Sequence, residues 1–237
     1  MATNPHTAAP LVLEFLKKNT FFGALADDVL TALVQRGHIK TFTKGQTIYK
    51  RGDPGDSLMV ILSGRVKIVN VAANAREVVL NFLGVGDVNG EIAALDAHDR
   101  SATAIALEDT EAFVVYRRDL LPVLDSNPGA VFEIVLVLCE KVRIASAIIE
   151  ALALQLTGRA AFGLLRLAQQ HGRVTKRGIL IDLTLSQRDL GSYLGMSREN
   201  VNRQLGKLRD ARVIHIDDTR IYIVDEQALA ELAGAET

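Results

Sequence analysis

The chain has 237 residues, with 27 Lys and Arg against 28 Asp and Glu and a formal net charge of −1 at pH 7. This length is enough for two ordinary domains, and the mix of charged and apolar residues excludes the fibrous and disordered classes of protein. The single cysteine, Cys139, excludes an internal disulfide framework and a cysteine-ligated zinc or iron–sulfur site within one chain, and its apolar surroundings predict a buried thiol.

The first ten residues carry neither a basic n-region nor an apolar h-region, and no apolar stretch is long enough to span a bilayer. We therefore expect a cytoplasmic protein with no membrane partner. Positive charge is concentrated in residues 159–212, which hold eleven Lys or Arg and four Asp or Glu. This imbalance predicts the part of the chain that binds an anionic polymer.

A polar tail and a lead-in helix are predicted over residues 1–19, and the apolar residues of 11–15 and 29–34 have helical spacing. From Ile39 onward the pattern changes to short β-branched runs between turn residues. Regularly spaced short strands with Gly-rich turns predict a closed barrel or jelly roll, which we assign to residues 20–125. The predicted strands are 48–50, 57–63, 65–71, 77–83, 102–107 and 111–116.

Within the roll, residues 90–102 read GEIAALDAHDRSA and place one acid, one Arg and one hydroxyl at the two ends of a short segment. The Arg100 guanidinium can pair with a phosphate through a fork of donors, Ser101 can add a hydroxyl donor, and Glu91 can accept from a ribose hydroxyl. Gly90 lets the backbone approach a ligand closely. The segment resembles the phosphate-binding cassette of the cyclic-nucleotide-binding domain, and the recurrent glycines of the roll fit the turns of that domain family.

From Pro128 the apolar spacing becomes helical, which predicts a long helix over residues 126–156. Apolar residues at alternating spacings of four and three form a heptad seam, which predicts a parallel homodimer. A flank that includes Ile134, Ile144 and Ile148 predicts that the same helix also packs on its own roll. The seam residues are Val131, Val135, Leu138, Val142, Ala145, Ile149, Leu152 and Leu156.

A second domain is predicted over residues 157–237. A helix at 158–170, a basic turn at 171–178 and a strand at 179–183 come first. Two helices then follow within 186–205, broken at Gly195, with Ser186 and Ser197 as N-caps; this pattern is typical of a helix-turn-helix. Strands at 212–216 and 220–224 add the hairpin of a winged variant.

The second of these helices has a polar outer face that includes Arg198, Glu199, Asn202 and Arg203. Arg donates two parallel hydrogen bonds to guanine in the major groove, and Glu accepts from the cytosine amino group. Such a face can therefore discriminate G·C pairs.

The stretch MSRENVNRQL resembles the recognition helix of the CRP/FNR transcription regulators, in their cyclic AMP receptor protein branch, and the resemblance covers nearly the whole chain in that family's order. It implies an α+β fold with an N-terminal β jelly-roll cyclic-nucleotide-binding domain, a long dimerisation helix and a C-terminal winged helix-turn-helix. It also implies a regulator without enzyme activity, whose effector is cAMP, with cGMP as the alternative, and which uses no metal. The implied partners are double-stranded DNA, a second copy of the chain and RNA polymerase.

The resemblance also assigns site residues by position. In this family the roll and the long helix share the ligand, but Ile144 and Ala145 stand where the family has hydroxyl residues that hold the adenine amino group. Arg143, Ser146 and Asn81 are the remaining candidates for reading the base. The expected ligand site comprises Gly90, Glu91, Ile92, Ala93, Arg100, Ser101, Ala102, Ile68, Leu80, Asn81, Arg143, Ala145 and Ser146.

On DNA, the resemblance makes Arg198, Glu199 and Arg203 the base readers of a two-fold symmetric site with TGTGA-like halves. Asn202 stands where the best-known member has Gly, which leaves one base pair of the half-site open. The expected phosphate contacts are Ser186, Gln187, Ser197, Asn200 and Lys207.

Two alternatives remain. The same fold can sense another ligand: a haem sensor needs axial ligands, for which His38, His98 and the amino-terminal segment are candidates, and a nucleotide-independent regulator needs none. A regulatory module of an enzyme or kinase is the other class, but the sequence has no metal-ligand cluster, Walker loop or nucleophile elbow, and the helix-turn-helix would be left without a role.

Overall fold

A computed structural model describes residues 5–19, 21–23 and 25–234. The chain divides into two compact units, Met1–Val142 and Arg143–Thr237. Their boundary lies between the predicted domain boundaries at residues 125 and 156, which stay predictions. Residues 1–4 of the predicted tail and residues 235–237 of the predicted second domain lie outside the described residues.

Two helices begin the first unit, α1 (Pro5–Lys18) and α2 (Asp27–Arg36). Both runs with helical spacing lie in them, although α1 begins earlier than the sequence predicted, within the polar tail. Acidic residues occupy the first turn of α2 and Arg36 its last turn, which complements the helix dipole at both ends. Leu30 and Leu33 lie on one face of α2 and are fully buried.

The described part of the first unit contains a roll of two antiparallel four-stranded sheets. The strands are β1 (His38–Phe42), β2 (Thr47–Tyr49), β3 (Ser57–Ser63), β4 (Val66–Val71), β5 (Glu77–Leu83), β6 (Val88–Asn89), β7 (Thr103–Ala106) and β8 (Thr110–Tyr116). The sheet orders are β1-β8-β3-β6 and β2-β7-β4-β5. The predicted jelly roll is confirmed, and each of the six predicted strands is present within one residue of its predicted ends.

The sequence did not predict four further elements of this unit. β1 has no fully buried residue and β6 has two residues, so neither gives a strong alternation of apolar and polar side chains. A short helix, α3 (Glu91–Asp96), lies inside the cassette segment, and α4 (Arg117–Asp125) follows β8. Both helices are shorter than the window in which helical periodicity is readable.

Strand β3 separates two cores of the first unit. Leu58 and Val60 belong to a core shared with the helices, whereas Met59 and Ile61 belong to a core inside the roll. This follows from the two-residue period of a strand, which points successive side chains to opposite faces. Strand β3 is therefore buried on both of its faces, and it pairs with β6, which leads into the cassette.

The long helix, α5 (Pro128–Leu152), ends earlier than predicted. The seam was expected to continue to Leu156, but that residue begins the next helix, α6 (Leu156–His171). Tight i to i+3 bonds close the end of α5, from the Ala153 amide to the Glu150 carbonyl and from the Leu154 amide to the Ala151 carbonyl. The predicted buried thiol was also wrong, because Cys139 is exposed on α5.

Several seam residues of α5 are exposed in the single chain. Val142 and Ile149 are 65% and 68% exposed, and Val131, Val135 and Leu152 are also exposed. Ile134, on the predicted flank, is instead buried in the helix-side core of the first unit. One side of the helix therefore packs on its own unit, as predicted, and another presents apolar residues to solvent.

After α6, the second unit continues with β9 (Gly172–Thr175), β10 (Gly178–Ile181), α7 (Gln187–Leu194), α8 (Arg198–Asp210), β11 (Ile214–Asp217), β12 (Arg220–Ile223) and α9 (Glu226–Leu232). Its strands form an antiparallel sheet in the order β11-β12-β10-β9. The helix-turn-helix and the wing hairpin are confirmed. The predicted basic turn at 171–178 was wrong in most of its length, since β9 pairs with β10 and only a tight turn before Gly178 remains, where φ is +114°.

Candidate ligand pocket and nucleic-acid interface

The first unit contains a cavity of about 240 Å³ beside the cassette. Strands β2, β4, β5 and β6, helix α3 and the residues before β7 contribute to its lining. It brings together ten of the thirteen residues expected at the ligand site: Ile68, Leu80, Asn81, Gly90, Glu91, Ile92, Ala93, Arg100, Ser101 and Ala102. The other three, Arg143, Ala145 and Ser146, are exposed residues of the second unit, and their part in the site stays a prediction.

Arg100 is the main cation of this cavity and is 7% exposed. Its Nη1 donates to the carbonyls of Ser57 and Gly90 at 2.7 and 3.1 Å, and its Nη2 donates to the Ser57 hydroxyl at 3.0 Å. The Nε atom is buried and has no hydrogen-bond partner among the described residues. A guanidinium has five N–H donors, so Nε–H and one Nη2–H remain, which are enough for bidentate contact with a phosphate.

Gly90 is required at its position for two reasons. Its φ is +83°, a conformation that disfavours other residues, and a Cβ here would collide with Nη1 of Arg100. The glycine therefore lets the Arg100 side chain cross the backbone where α3 begins.

Glu91 is the first residue of α3 and is 3% exposed. Its Oε1 lies 2.5 Å from Nζ of Lys141, which comes from α5 and also lines the cavity. The sequence reasoning missed Lys141. The available signal was that Lys141 is the one lysine of α5.

Tyr49 and Asn81 provide neutral polar groups to the cavity. Burial raises the pKa of Tyr49 to about 12, and the nearby Glu91 carboxylate acts in the same direction, while Arg100 opposes them. The phenol is therefore neutral near pH 7. Asn81 lies on β5 opposite Ile68 of β4, and its buried Oδ1 has no hydrogen-bond partner among the described residues.

The two helices of the helix-turn-helix begin at the predicted caps. The Ser186 hydroxyl accepts from the Asp189 amide at 3.0 Å, and the Ser197 hydroxyl accepts from the Asn200 amide at 3.2 Å. Gly195 ends α7 in the left-handed conformation, with φ of +64°. The predicted inner face, Leu190, Leu194, Val201, Leu205 and Leu208, is buried.

The nine residues expected to contact DNA lie on the outside of this motif. All are exposed except Asn200, which is half-buried: Ser186, Gln187, Ser197, Arg198, Glu199, Asn200, Asn202, Arg203 and Lys207. Arg203 Nη2 donates to Oδ1 of Asn200 one turn earlier. The buried side of α8 is fixed by Gln204, whose Oε1 accepts from the Thr157 hydroxyl at 2.8 Å. The outer face of α8 is therefore polar, accessible and rigidly mounted.

The two histidines considered as haem ligands lie on different elements of the first unit. His38 is on β1 and stacks on Tyr116, and burial together with Lys40 lowers its pKa. His98 is exposed in the loop after α3. Within residues 5–19, 21–23 and 25–234, no group of three His, Cys, Asp or Glu side chains is arranged to hold a metal ion. In the same part of the chain, no helix is long and apolar enough to cross a membrane.

Two domain families match the chain. Residues 39–127 match the family described as Cyclic nucleotide-binding domain, and residues 158–232 match the family described as Crp-like helix-turn-helix domain. A "CRP-like cAMP-activated global transcriptional regulator" of Mycobacterium tuberculosis is 28% identical over 221 residues, which are 93% of this chain and 99% of that protein. The chain belongs to the CRP/FNR family of transcription regulators.

Two further relatives extend this assignment. The "Cyclic AMP receptor protein" of Thermus thermophilus is 27% identical over 219 residues, 92% of this chain and 98% of that protein. The solved structure of FixK2 from Bradyrhizobium japonicum shares the fold, with a TM-score of 0.74, 23% identity, and coverage of 85% of this chain and 99% of that one. The cavity of this CRP/FNR regulator lies within its cyclic-nucleotide-binding domain except for Lys141, and α7 and α8 lie within its DNA-binding helix-turn-helix domain.

Proposed function

We propose that this regulator binds cAMP in the cavity of its first unit, and that the ligand shifts a homodimer toward binding palindromic DNA. cGMP is the alternative effector. The observation that carries the proposal is Arg100, a buried cation in a cavity, with two donors not used by the described residues. A cyclic phosphodiester offers the two oxygens that such a pair of donors fits.

The opposite end of the ligand contacts Glu91. Its carboxylate accepts a hydrogen bond from the ribose hydroxyl, while Ser101 adds a hydroxyl donor to the phosphate. Gly90, Ala93 and Ala102 leave room for the sugar, and Ile68, Leu80 and Ile92 supply apolar surface to the base. Their common membership of the cavity lining supports this arrangement.

Base recognition uses the amide of Asn81, with Arg143 and Ser146 from the long helix and Ala145 as the space beside them. The unpartnered Oδ1 of Asn81 is an acceptor suited to the amino group of adenine. Because Ala145 and its neighbour Ile144 lack the hydroxyls of the family, we expect weaker discrimination between cAMP and cGMP than those hydroxyls give.

The homodimer forms through α5. Exposed Val135, Val142 and Ile149 lie on the predicted heptad seam, and a second copy in parallel orientation would bury them. Two-fold symmetry then places two α8 helices about one DNA turn apart, matching half-sites on the same face of the duplex.

On DNA, Arg198, Glu199 and Arg203 read base edges of TGTGA-like half-sites, with Asn202 beside them. The hydroxyls, amides and ammonium of Ser186, Gln187, Ser197, Asn200 and Lys207 hold phosphates and set the register. RNA polymerase is the further partner of the bound dimer. The accessible polar face of α8 supports the assignment of these residues to DNA contact.

Ligand binding controls DNA binding only if the ligand has different affinities for the two arrangements of the dimer. Calorimetry with cAMP and with cGMP, followed by a DNA-shift assay with and without nucleotide, tests both steps. We expect the parent protein to bind at least one nucleotide and to gain DNA affinity from it. Absence of binding of either nucleotide at millimolar concentration would overturn the proposal.

Arg100→Leu is the decisive variant, because it removes the charge partner of the phosphate from a buried site. We expect it to bind neither nucleotide detectably and to lose the nucleotide-dependent gain in DNA affinity. Arg118→Leu, which removes an exposed guanidinium of the same unit, is the matched control. We expect it to keep both the nucleotide binding and the nucleotide-dependent gain in DNA affinity. An unchanged response in Arg100→Leu would refute the assignment of Arg100 to the phosphate.

A further inference from the structure

The first unit contains a second cavity, of about 210 Å³, which shares a wall with the cavity beside the cassette. Tyr49, Asn89 and Arg100 line both cavities. The other lining residues of the second cavity come from β1, β2, β3, β8 and the loop between β2 and β3. None of these other residues lines the cavity beside the cassette, so the second cavity is a separate space.

The floor of the second cavity is apolar. Met59 and Val114 line it, are 4% and 5% exposed, and belong to the core inside the roll. Phe42 and Ile48 also line it and pack against the same core. Apolar side chains favour contact with a hydrocarbon group over contact with water. A ligand of the second cavity therefore needs a hydrocarbon part.

The charges of the second cavity cancel. Lys40 on β1 and Asp56 in the loop between β2 and β3 are exposed lining residues, and Asp53 lies in the same loop. Together with the buried Arg100, they give two cations and two anions among the described residues of the lining. Transfer of a single unpaired charge out of water is costly. A lining without net charge therefore favours a neutral or zwitterionic ligand over an ion of either sign.

Lys40 and Asp56 are the two charged groups that a ligand can engage at the rim. Lys40 Nζ lies 5.9 Å from the centre of the Tyr116 ring, and it forms no ion pair with any described residue. The Asp56 carboxylate forms neither a hydrogen bond nor an ion pair within the same part of the chain. Asp53 differs, because its Oδ2 accepts from the Lys50 amide at 2.7 Å. The rim therefore fits a ligand with one carboxylate for Lys40 and one ammonium for Asp56.

The volume of the second cavity limits the ligand to a small molecule. A water molecule takes about 30 Å³ in the liquid, so the cavity has room for roughly seven to ten non-hydrogen atoms. We propose that the second cavity binds an α-amino acid with a branched aliphatic side chain, such as leucine. The carboxylate of the amino acid pairs with Lys40, its ammonium pairs with Asp56, and its side chain covers the apolar floor. This site goes beyond the proposed function and does not depend on it.

Calorimetry on the full chain with four probes tests the chemical class of the ligand. Isopentylamine is leucine without its carboxylate, 4-methylpentanoate is leucine without its ammonium, and glycine lacks the side chain. We expect leucine to bind with a dissociation constant on the order of 0.1 to 1 mM, and about tenfold more tightly than each of the other three probes. No binding of leucine at about 10 mM would overturn the proposal. Equal affinities for leucine and either single-charge probe would overturn the zwitterion.

Two variants test the two charged partners separately. In Lys40→Met, leucine should bind no more tightly than isopentylamine binds to the parent. In Asp56→Asn, leucine should bind no more tightly than 4-methylpentanoate binds to the parent. Lys44→Met is the matched control, because Lys44 is an exposed lysine in the turn after β1 and lines neither cavity. We expect this control to keep the leucine affinity of the parent, whereas parental affinity in Lys40→Met or Asp56→Asn would overturn the proposed contacts.

A titration of leucine in the presence of saturating cAMP distinguishes the two cavities. Leucine should still bind, because most of the lining of the second cavity is not shared. Full competition between leucine and cAMP would place leucine beside the cassette and overturn the proposal. Failure of the proposed function looks different, because the parent then binds no nucleotide while its titrations with leucine and the three other probes remain as expected.

Discussion

Tyr49 lies against the guanidinium of Arg100, with the Arg100 Cζ 4.3 Å from the centre of the ring. The ring attracts the cation electrostatically, and burial strengthens this contact. Together with the hydrogen bonds to Ser57 and Gly90, the ring fixes the plane of the guanidinium before any ligand enters. A fixed guanidinium loses little freedom on binding a phosphate, which favours affinity.

We therefore expect that replacing the ring weakens the proposed nucleotide binding. In Tyr49→Leu we expect the cAMP dissociation constant to rise by roughly fivefold, the equivalent of about 1 kcal/mol of cation–π energy. Tyr49→Phe keeps the ring face and should bind nearly as well as the parent. Calorimetry decides, and equal affinities in the Leu and Phe variants would show that the ring does not position Arg100.

The same residue predicts a dependence of stability on pH. Burial raises the pKa of Tyr49 from its ordinary value of 10.0 to about 12. The contribution of the neutral phenol is fully present below pH 10 and is lost as pH rises from 10 to 12, because the unfolded chain ionises first. The parent should lose up to about 1.4 kcal/mol more per pH unit in this window than Tyr49→Phe. Urea unfolding at several pH values measures this difference, and parallel curves for the two proteins would contradict it.

Gly90→Ala tests the crossing of Arg100 over the backbone. Both Gly90 and Gly86 have positive φ, but a Cβ at Gly86 meets open space whereas a Cβ at Gly90 meets Arg100. Gly86→Ala should cost about 1 kcal/mol of stability through backbone strain alone and should leave cAMP affinity unchanged. Gly90→Ala should cost more and should also lower cAMP affinity. Thermal unfolding and calorimetry compare the two variants, and matching losses would mean that the contact with Arg100 is unimportant.

On the recognition helix, Arg203 and Lys207 should behave differently. Arg203→Ala removes a proposed base reader and should reduce the preference at one base pair by about 1 to 3 kcal/mol, whereas Lys207→Ala should weaken binding to all sequences alike. Shift assays on the specific site, on single-base variants and on random DNA distinguish them. An equal loss on specific and random DNA for Arg203→Ala would mean that Arg203 only positions the helix.

The sequence predicted those parts of the fold that have local signals. The strands of the roll alternate in burial or lie between glycine turns, and the caps Ser186 and Ser197 mark the two helices of the DNA-binding motif. The cassette was readable because its glycine, acid and arginine lie within one short segment. Ten residues expected at the ligand site do line one cavity.

The remaining features depend on contacts that no local pattern contains. Lys141 meets Glu91 only because the chain brings α5 to the cassette, fifty residues later. The end of α5 at Leu152 was missed because Leu156 happens to continue the apolar spacing after the helix has stopped. Strand β9 was missed because its pairing with β10 creates a hairpin from residues that are mostly polar and exposed.

Among the described residues that line the cavity, three are charged: Glu91, Arg100 and Lys141. Together they carry one net positive charge, which one phosphodiester anion neutralises. When a cyclic nucleotide is hydrolysed to its monoester, the phosphate gains most of a second negative charge near pH 7. That charge would enter a cavity whose cations are already balanced and which contains a buried carboxylate. On the proposed function, we therefore expect ring opening to weaken binding by electrostatics as well as by shape, so that the product of a phosphodiesterase competes poorly with cAMP in calorimetry.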